Sequence, residues 1–358
     1  MKKVFLTINN NRLSGIEKFT LLLAKYLDRN KYKVMIGMPT YGPLCGLLDQ
    51  NNIDYFIFNN KINEKHTMWG ILSLFSHIYK KKYDIIHAQA GIVPCLIGTI
   101  IGTKLIIEHK HGLDFTSEQI DNMNFIKLNY ERMKKYFVNI TFTGCKADKT
   151  ILLKKFKYKS EKVDVIYNGL EADKLNMQRK RNDKFTIGTI GRLTFQKGQE
   201  YLIEAAKILI GKGYEFEIHI YGEGEKENEF VQLIKKYELE KIVLLKGYTH
   251  NISETMNTLD IFVLPSRYEG IPFVILEAMK ASVPVISADV GGINEVINNM
   301  INGILIKKEN SEELAEKIML LHDSKKLRDD LTRIAKIDFE EKYTIEKTIK
   351  SIEDVYSA

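Results

Sequence analysis

The sequence alternates short β-branched, apolar runs with stretches of helical periodicity, and this alternation constrains its fold more than any other feature. It opens with a predicted strand at Val4–Ile8, a polar loop at Asn9–Gly15 and a helix at Ile16–Leu27. Further strands are predicted at Lys33–Met38, Asp54–Phe58, Tyr83–Ala88, Lys104–Glu108, Val138–Phe142 and Val163–Tyr167. The first half therefore predicts a doubly wound α/β domain, in which ligands bind beyond the carboxyl ends of the strands.

The alternation stops at a polar, irregular stretch and then begins again. Asn168-Gly169 is a turn signal, and Leu170–Lys184 has no periodic pattern. Later strands are predicted at Phe185–Ile190, Glu215–Tyr221, Lys241–Lys246, Asp260–Leu264 and Val283–Ser287. A chain of 358 residues is also long for a single hydrophobic core. We therefore predict an α/β protein of two Rossmann-like domains, residues 1–169 and 170–339, which face each other across a cleft.

The segment after the strand Asp260–Leu264 has two carboxylates at the start of a predicted helix. Pro272 suits the first position of a helix, and the helix is apolar except at Glu277, which predicts that it is buried. A lone buried carboxylate is most simply a cap or one partner of a salt bridge. Here a second one, Glu269, lies in the loop beside Gly270, and helix N–H groups favour phosphate. A site that holds the hydroxyls of a sugar or ribose is therefore the better interpretation.

A second candidate site is the loop Gly191–Gly198, between a predicted strand and a predicted helix. Arg192 can grip phosphate oxygens with two parallel hydrogen bonds, whereas Lys197 is a compact point charge. Together they could neutralise a departing nucleotide diphosphate as its charge develops. Either cation alone could be a surface residue, but the position after a strand favours a site. By contrast, Gly222-x-Gly224 lacks the third glycine of a dinucleotide fingerprint, since position 227 is Glu, and predicts a tight turn.

Two histidines follow the predicted strand Lys104–Glu108. A random histidine is most often a hydrogen-bonded structural residue, but this position predicts that His109 or His111 faces the cleft. Strand alternation cannot choose between them, because residues two apart point to the same side. His111 precedes Gly112, whose missing side chain leaves room for a ligand, and this favours His111.

Several other kinds of site are absent from the sequence. There is no Asp-x-Asp, no metal-ligand spacing of His, Cys and Asp, no Ser-His-Asp signature and no P-loop. The three cysteines are widely spaced, which indicates a reduced, cytoplasmic compartment. The start lacks the apolar core of a signal peptide, and Ile92–Ile107, the most apolar long stretch, is too short to span a bilayer.

Charge is distributed unevenly along the chain. Residues 1–162 contain 26 Lys and Arg against 13 Asp and Glu, and Lys127–Lys162 alone has 11 against 3. This excess is either a solvated, lysine-rich face or a surface for an anionic membrane or a phosphate-bearing acceptor. Nucleic acid is disfavoured, because the second half is acidic and no recognition motif is present.

Taken together, these stretches resemble glycosyltransferase family 4, whose members are retaining, nucleotide-sugar-dependent enzymes with the GT-B fold. The motif Glu-x7-Glu runs from Glu269 to Glu277, and Gly191-Arg192 with Lys197 and Gly291-Gly292-x-x-Glu295 accompany it. At the amino end, Ser14-Gly15-Ile16-Glu17 is similar to the glycine loop of the family, with Ser-Gly where two glycines are usual. The segments Asp84–Gln89 and His111–Asp114 also match.

The resemblance implies a role for each matching residue. Arg192 and Lys197 would bind the donor diphosphate, and Glu277 would hold the ribose hydroxyls. Glu269 and the backbone of Gly270, Ile271, Pro272 and Phe273 would face the donor sugar. His111 would lie beside the reacting sugar, Gly15 near the phosphates, and the base near Tyr248. A C-terminal helix, residues 340–358, would pack on the first domain, and no metal or other cofactor is expected.

The expected function is transfer of a sugar from a nucleotide diphosphate sugar to an acceptor hydroxyl, with retention of configuration. The acceptor would be a growing bacterial-type glycan or a lipid-linked sugar, and the enzyme would be cytoplasmic, at the inner face of the membrane. Two alternatives remain open at this point. One is a nucleotide-sugar epimerase on the same fold, and the other is a non-catalytic, glycosyltransferase-like partner subunit.

Overall fold

The computed structural model describes residues 1–10, 15–59, 67–89, 91–113, 115, 117–172 and 184–358. It divides into two compact units. The first comprises Met1–Gly169 together with Ile345–Ala358, and the second comprises Leu170–Thr344. Residues 340–344, predicted to join the first domain, therefore belong to the second unit.

The first unit is built on a parallel sheet of seven strands in the order β3-β2-β1-β4-β5-β6-β7. The strands are β1 Lys2–Thr7, β2 Tyr32–Met38, β3 Asp54–Ile57, β4 Ile85–Ala88, β5 Leu105–Lys110, β6 Ile140–Thr143 and β7 Val163–Val165. Because chain order reverses between β1 and β4, a crevice opens at their carboxyl ends, where doubly wound sheets bind ligands.

Helices cover this sheet. They are α1 Gly15–Tyr26, α2 Pro43–Gln50, α3 Met68–Lys81, α4 Val93–Ile101, α5 Ser117–Asp121, α6 Phe125–Met133, α7 Lys146–Lys154 and, from the end of the chain, α14 Ile345–Ser357. α3 packs on α4, and α4 packs on the 3-10 turn Lys134–Phe137 that follows α6. α14 packs against α1, and its buried side consists of Ile345, Thr348, Ile349, Ile352 and Tyr356.

The second unit repeats the design with six parallel strands in the order β10-β9-β8-β11-β12-β13. Its strands are β8 Thr186–Ile190, β9 Glu217–Tyr221, β10 Val243–Gly247, β11 Ile261–Leu264, β12 Val285–Ala288 and β13 Ile304–Ile306. Its helices are α8 Gln199–Gly211, α9 Glu227–Lys236, α10 Ile252–Met256, α11 Phe273–Lys280, α12 Ser311–Asp323 and α13 Lys325–Lys342. Here the order reverses between β8 and β11.

The α/β fold class predicted from the alternation is confirmed, and the predicted strands lie within two residues of the observed ones. The short edge strand β13 was not predicted, because three residues are too few to show a period. The predicted position of Pro272 is wrong by one residue: it is the N-cap of α11, with extended backbone, and Phe273 is the first helical residue. Within the described residues, no helix is both long and apolar enough to cross a bilayer.

Candidate active site

The loops at the carboxyl edge of the second sheet pack on one another so closely that glycine is required. A Cβ on Gly222, after β9, would lie 1.9 Å from the carbonyl oxygen of Gly191, after β8. A Cβ on Gly224 would lie 2.2 Å from the oxygen of Leu193. A Cβ on Gly291 would lie 1.8 Å from the oxygen of Glu269. Gly222-x-Gly224 is therefore more than the predicted tight turn, since it packs directly against the loop Gly191–Gly198.

Lys197 and Glu269 meet at this edge, although they are 72 residues apart in sequence. Lys197 Nζ donates to Glu269 Oε1 at 2.5 Å, and Ser266 Oγ donates to the same oxygen at 2.7 Å. The side chains of Lys197 and Glu269 are only 14% and 7% exposed. This ion pair is favoured by the switch in strand order, because β8 and β11 are neighbours and each leads into one of the two loops.

Arg192 lies in the same loop and is exposed. Its guanidinium makes a long hydrogen bond, 3.5 Å, to Gln196 Oε1. The backbone around it is held firmly, because Gln199 Nε2 donates to the carbonyl oxygen of Arg192 at 2.9 Å. Gln196 Nε2 also donates to the oxygen of Tyr268 at 3.0 Å. The loop thus holds a cation in contact with solvent on a fixed backbone, which suits it to bind an anion.

Glu277 lies about one turn inside α11, four residues after Phe273. Its Oε2 atom is 3.2 Å from Lys280 Nζ, in an ion pair between side chains that are 16% and 11% exposed. That oxygen is buried and accepts no hydrogen bond among the described residues. The salt bridge expected of a structural carboxylate is therefore present, but it leaves hydrogen-bonding capacity unused, which a ligand hydroxyl could fill.

The remaining donor-site candidates of this unit lie after β10 and before α11. Tyr248 follows β10, is 48% exposed, and meets the ring of His250 edge-on at 4.9 Å. Of the segment Gly270–Phe273, Ile271 is buried, whereas Gly270, Pro272 and Phe273 are partly exposed. Gly270 directly follows Glu269, so the segment adjoins the Lys197–Glu269 pair, whereas Tyr248 follows a strand that lies farther away in the sheet.

One residue of the edge was not predicted. Arg267, in the loop after β11, donates from Nη1 to the Phe195 oxygen at 2.6 Å and to Glu200 Oε1 at 2.8 Å. Its Nε donates to Glu309 Oε1 at 2.6 Å, and its guanidinium lies 3.9 Å from the centre of the Phe195 ring. Arg267 thereby ties the loop after β11 to the loop after β8. Its position shortly after the predicted strand Asp260–Leu264 is the sequence signal that could have identified Arg267.

In the first unit, three imidazoles stack at the carboxyl ends of β4 and β5. The ring centres of His109 and His111 are 4.1 Å apart, and those of His87 and His109 are 5.3 Å apart. His87 bonds through Nδ1 to Tyr356 OH at 2.6 Å and through Nε2 to His109 Nδ1 at 3.2 Å. His111 Nε2 is 2.7 Å from Gln89 Oε1, so this nitrogen carries the proton.

The two histidines predicted from the sequence, His109 and His111, differ in burial. His109 is 1% exposed and belongs to the core, whereas His111 lies at the partly exposed end of the stack. Desolvation lowers the pKa of His111 to about 4, although Asn168 opposes the shift. The ring is therefore neutral near pH 7. Gly15 is the first residue of α1, after β1, while Ser14 and Asp114 lie outside the described residues.

The chain thus consists of two doubly wound α/β units, each with a parallel sheet whose strand order reverses. Two family models match the chain in succession: Glycosyltransferase Family 4 over residues 13–174 and Glycosyl transferases group 1 over residues 172–338. The chain is a family 4-like glycosyltransferase with the GT-B fold, as the sequence resemblance implied.

Individual proteins agree with this assignment. The UDP-Gal:alpha-D-GlcNAc-diphosphoundecaprenol alpha-1,3-galactosyltransferase of Escherichia coli is 26% identical, over 96% of this chain and 94% of its own. The capsular polysaccharide biosynthesis glycosyltransferase CapM of Staphylococcus aureus is 29% identical, over 77% of this chain and 66% of its own. The crystal structure of Anabaena HepE with UDP and glucose superposes with a TM-score of 0.84, at 22% identity and full coverage of both chains.

Proposed function

We propose that this glycosyltransferase moves a sugar from a uridine diphosphate sugar to an acceptor hydroxyl with retention of anomeric configuration. The observation that carries the proposal is the Lys197–Glu269 ion pair next to the exposed cation Arg192, on loops fixed at the carboxyl edge of a parallel sheet. The donor class is supported by the name of the Escherichia coli relative and by the UDP bound in Anabaena HepE.

In this proposal, Arg192 and Lys197 hold the diphosphate and stabilise its charge as the glycosidic bond breaks. Lys197 is already paired with Glu269, so a phosphate oxygen would share the ammonium with the carboxylate. Glu277 accepts hydrogen bonds from the ribose, and Glu269 with the segment Gly270–Phe273 faces the donor sugar. Retention is supported by the resemblance to a retaining family and is open to direct measurement.

In the first unit, we assign roles in the reaction to His111 and Gly15. His111 is neutral at working pH because burial lowers its pKa, so it would act as a hydrogen-bonding group and not as a positive charge. Gln89 fixes its tautomer by accepting from Nε2. Gly15, at the amino end of α1, would let a phosphate approach the backbone.

The acceptor we propose is a membrane-anchored or growing surface glycan. The Escherichia coli relative is named for a sugar linked to diphosphoundecaprenol, and CapM for capsular polysaccharide. An acceptor of this kind would bring the enzyme to the membrane surface as a peripheral protein.

A thermal-shift panel of nucleotides and nucleotide sugars tests the proposal. UDP and one UDP-sugar should raise the melting temperature in a concentration-dependent way, because they bind the folded state. The shift should shrink in Arg192→Ala and persist in Lys212→Ala, which removes an exposed cation elsewhere in the same unit. A nucleotide-sugar epimerase would convert its donor in the absence of an acceptor. A non-catalytic partner subunit would turn over no donor.

Turnover should also continue in the presence of a chelator. Among the described residues, no cluster of His, Cys, Asp and Glu could hold a metal ion, and we propose that Arg192 and Lys197 stabilise the leaving diphosphate in its place. Loss of activity on chelation that magnesium or manganese restores would contradict this part of the proposal.

A further inference from the structure

Three adjoining helical segments of the first unit expose large apolar side chains to solvent. We call these side chains the α3–α6 face. It comprises Met68, Trp69, Leu72 and Tyr79 of α3, Ile100 of α4, Phe125, Ile126, Tyr130 and Met133 of α6, and Tyr136 of the following turn, each more than half exposed. So many exposed large apolar residues on neighbouring elements mark an interaction surface.

The geometry of each helix keeps these residues on the outer side. In α3, Leu72 and Tyr79 lie two turns apart, opposite to Leu74 and Ile78, which are buried in the core. In α6 no residue is buried, and Ile126, Tyr130 and Met133 follow one another at spacings of four and three. Leu128, on the other side of α6, packs against the cluster that contains Leu152, whereas the side with Ile126, Tyr130 and Met133 is exposed and has no packing partner among the described residues.

The three helical segments adjoin one another in the fold. α3 and α4 share a core cluster that includes Leu74, Ile78 and Ile97. α4 also contacts the segment after α6. Thr99 Oγ1 donates to the Phe137 oxygen at 3.2 Å, and Val138 packs with Cys95. The exposed apolar residues are therefore not scattered singly over the molecule.

Exposed lysines lie on the same helices and directly after them. Lys80, Lys81 and Lys82 at the end of α3 are exposed, as is Lys127 in α6, whose ammonium lies 4.5 Å from the centre of the Phe115 ring. The Lys104 side chain is 85% exposed, with Asp84 3.8 Å away. α7 packs beside α6 through Leu128 and Leu152 and brings the rest of the basic stretch Lys127–Lys162 next to the face.

We propose that the α3–α6 face docks on an anionic lipid bilayer, with its apolar side chains in the interface and its lysines on the headgroups. The inference deepens the proposed function by assigning a surface to the membrane contact, and it rests on that function only for the identity of the acceptor. Exposed aromatic and aliphatic side chains together with exposed lysines on the same helices match the chemistry of an anionic membrane surface.

Co-sedimentation of the full chain with vesicles tests the proposal. Vesicles with acidic phospholipid should bind the protein, vesicles of phosphatidylcholine alone should bind it at least tenfold less, and high salt should weaken the binding. The triple variant Ile126→Ser, Tyr130→Ser, Met133→Ser should lose at least tenfold in binding, since those residues are exposed and bury nothing. A double variant of the second unit, Leu320→Ser with Ile337→Ser, removes exposed apolar residues elsewhere and should bind normally.

UDP affinity, measured by calorimetry on the same variants, separates this inference from the proposed function. The UDP affinity should be unchanged in the triple variant. If no donor binds the protein at all, the proposed function is contradicted but the docking surface is not. Equal recovery on neutral and acidic vesicles, or normal binding by the triple variant, would overturn the inference. A dimer that the triple substitution dissociates, without vesicle binding, would assign the face to a second copy of the chain instead.

Discussion

At the scale of single residues, the fold separates groups that look alike in sequence. His109 and His111 are two residues apart at the end of β5, yet His109 is enclosed by Phe19, Phe142 and His87 whereas His111 is partly exposed. Glu269 and Glu277 belong to one motif, yet Glu269 is held by Lys197 and Ser266, while an oxygen of Glu277 is buried and accepts no hydrogen bond from a described residue.

His111→Ala should lose turnover by orders of magnitude while it still binds the nucleotide, because the proposed nucleotide contacts lie in the second unit. His109→Ala should instead lower stability, since it opens a cavity in the core and removes the partner of His87 Nε2. Steady-state kinetics and UDP calorimetry on both variants distinguish the roles. Near-normal turnover in His111→Ala would remove His111 from the active site.

Glu277→Gln should weaken donor binding roughly tenfold or more, because an amide cannot accept charge-assisted hydrogen bonds from ribose hydroxyls. Its melting temperature should change little. Lys280→Gln is the matched control, since it breaks the same ion pair from the other side and should leave donor affinity nearly unchanged. Equal losses of affinity in the two variants, or a loss of stability alone in Glu277→Gln, would show that the carboxylate serves the ion pair.

At the scale of elements, the candidate donor site depends on loops that touch through glycine. The loops after β8, β9, β11 and β12 meet at Gly222, Gly224 and Gly291, and Arg267 fastens two of them. This packing leaves the backbone little freedom, which keeps Arg192, Lys197 and Glu269 in place before a ligand arrives.

Gly222→Ala should destabilise the second unit by several kcal/mol and abolish donor binding, because its Cβ would overlap the Gly191 oxygen and its φ is 140°. Gly211→Ala is the control. That glycine ends α8, a Cβ there meets no atom within 4 Å, and alanine favours helix, so stability should stay level or rise slightly. Denaturant unfolding of both variants checks the prediction. An unchanged free energy of unfolding in Gly222→Ala would mean that the loops can move apart at little cost.

At the scale of the whole molecule, the three stacked imidazoles make the first unit sensitive to acid. Burial lowers the pKa of His111 to about 4 and that of His87 to about 3, and the pKa of His109 lies well below its usual value for the same reason. In the unfolded chain all three titrate near 6.5. Between pH 6.5 and 5 the unfolded state therefore binds more protons, and stability falls as pH falls.

Each of these histidines should contribute up to about 1.4 kcal/mol per pH unit to that loss. His109→Gln keeps hydrogen-bonding groups but removes one titrating ring, so the slope of unfolding free energy against pH should fall by about a third. His250→Gln, which replaces an exposed histidine of the second unit, is the matched control. Unfolding curves at several pH values measure both, and an unaltered slope in His109→Gln would mean that this ring titrates normally in the fold.

The sequence by itself determined the elements, the break between two α/β halves and most site candidates. These are local properties: strand and helix periods, turn residues, and polar groups placed directly after a strand. Arg192, Lys197, Glu269 and the two histidines could be identified because parallel strands bind ligands at their carboxyl ends, so position along the chain already predicts the side of the sheet.

Only the tertiary structure decided which candidates meet. The order of strands depends on pairing between distant segments, and no local pattern encodes that β8 lies beside β11 or β1 beside β4. That order joins Lys197 to Glu269, places Arg267 across two loops and stacks His87 beneath His109. It also sets burial, and therefore which histidine stays in the core, whether Glu277 Oε2 accepts a hydrogen bond from a described residue, and which helices present an apolar side to solvent.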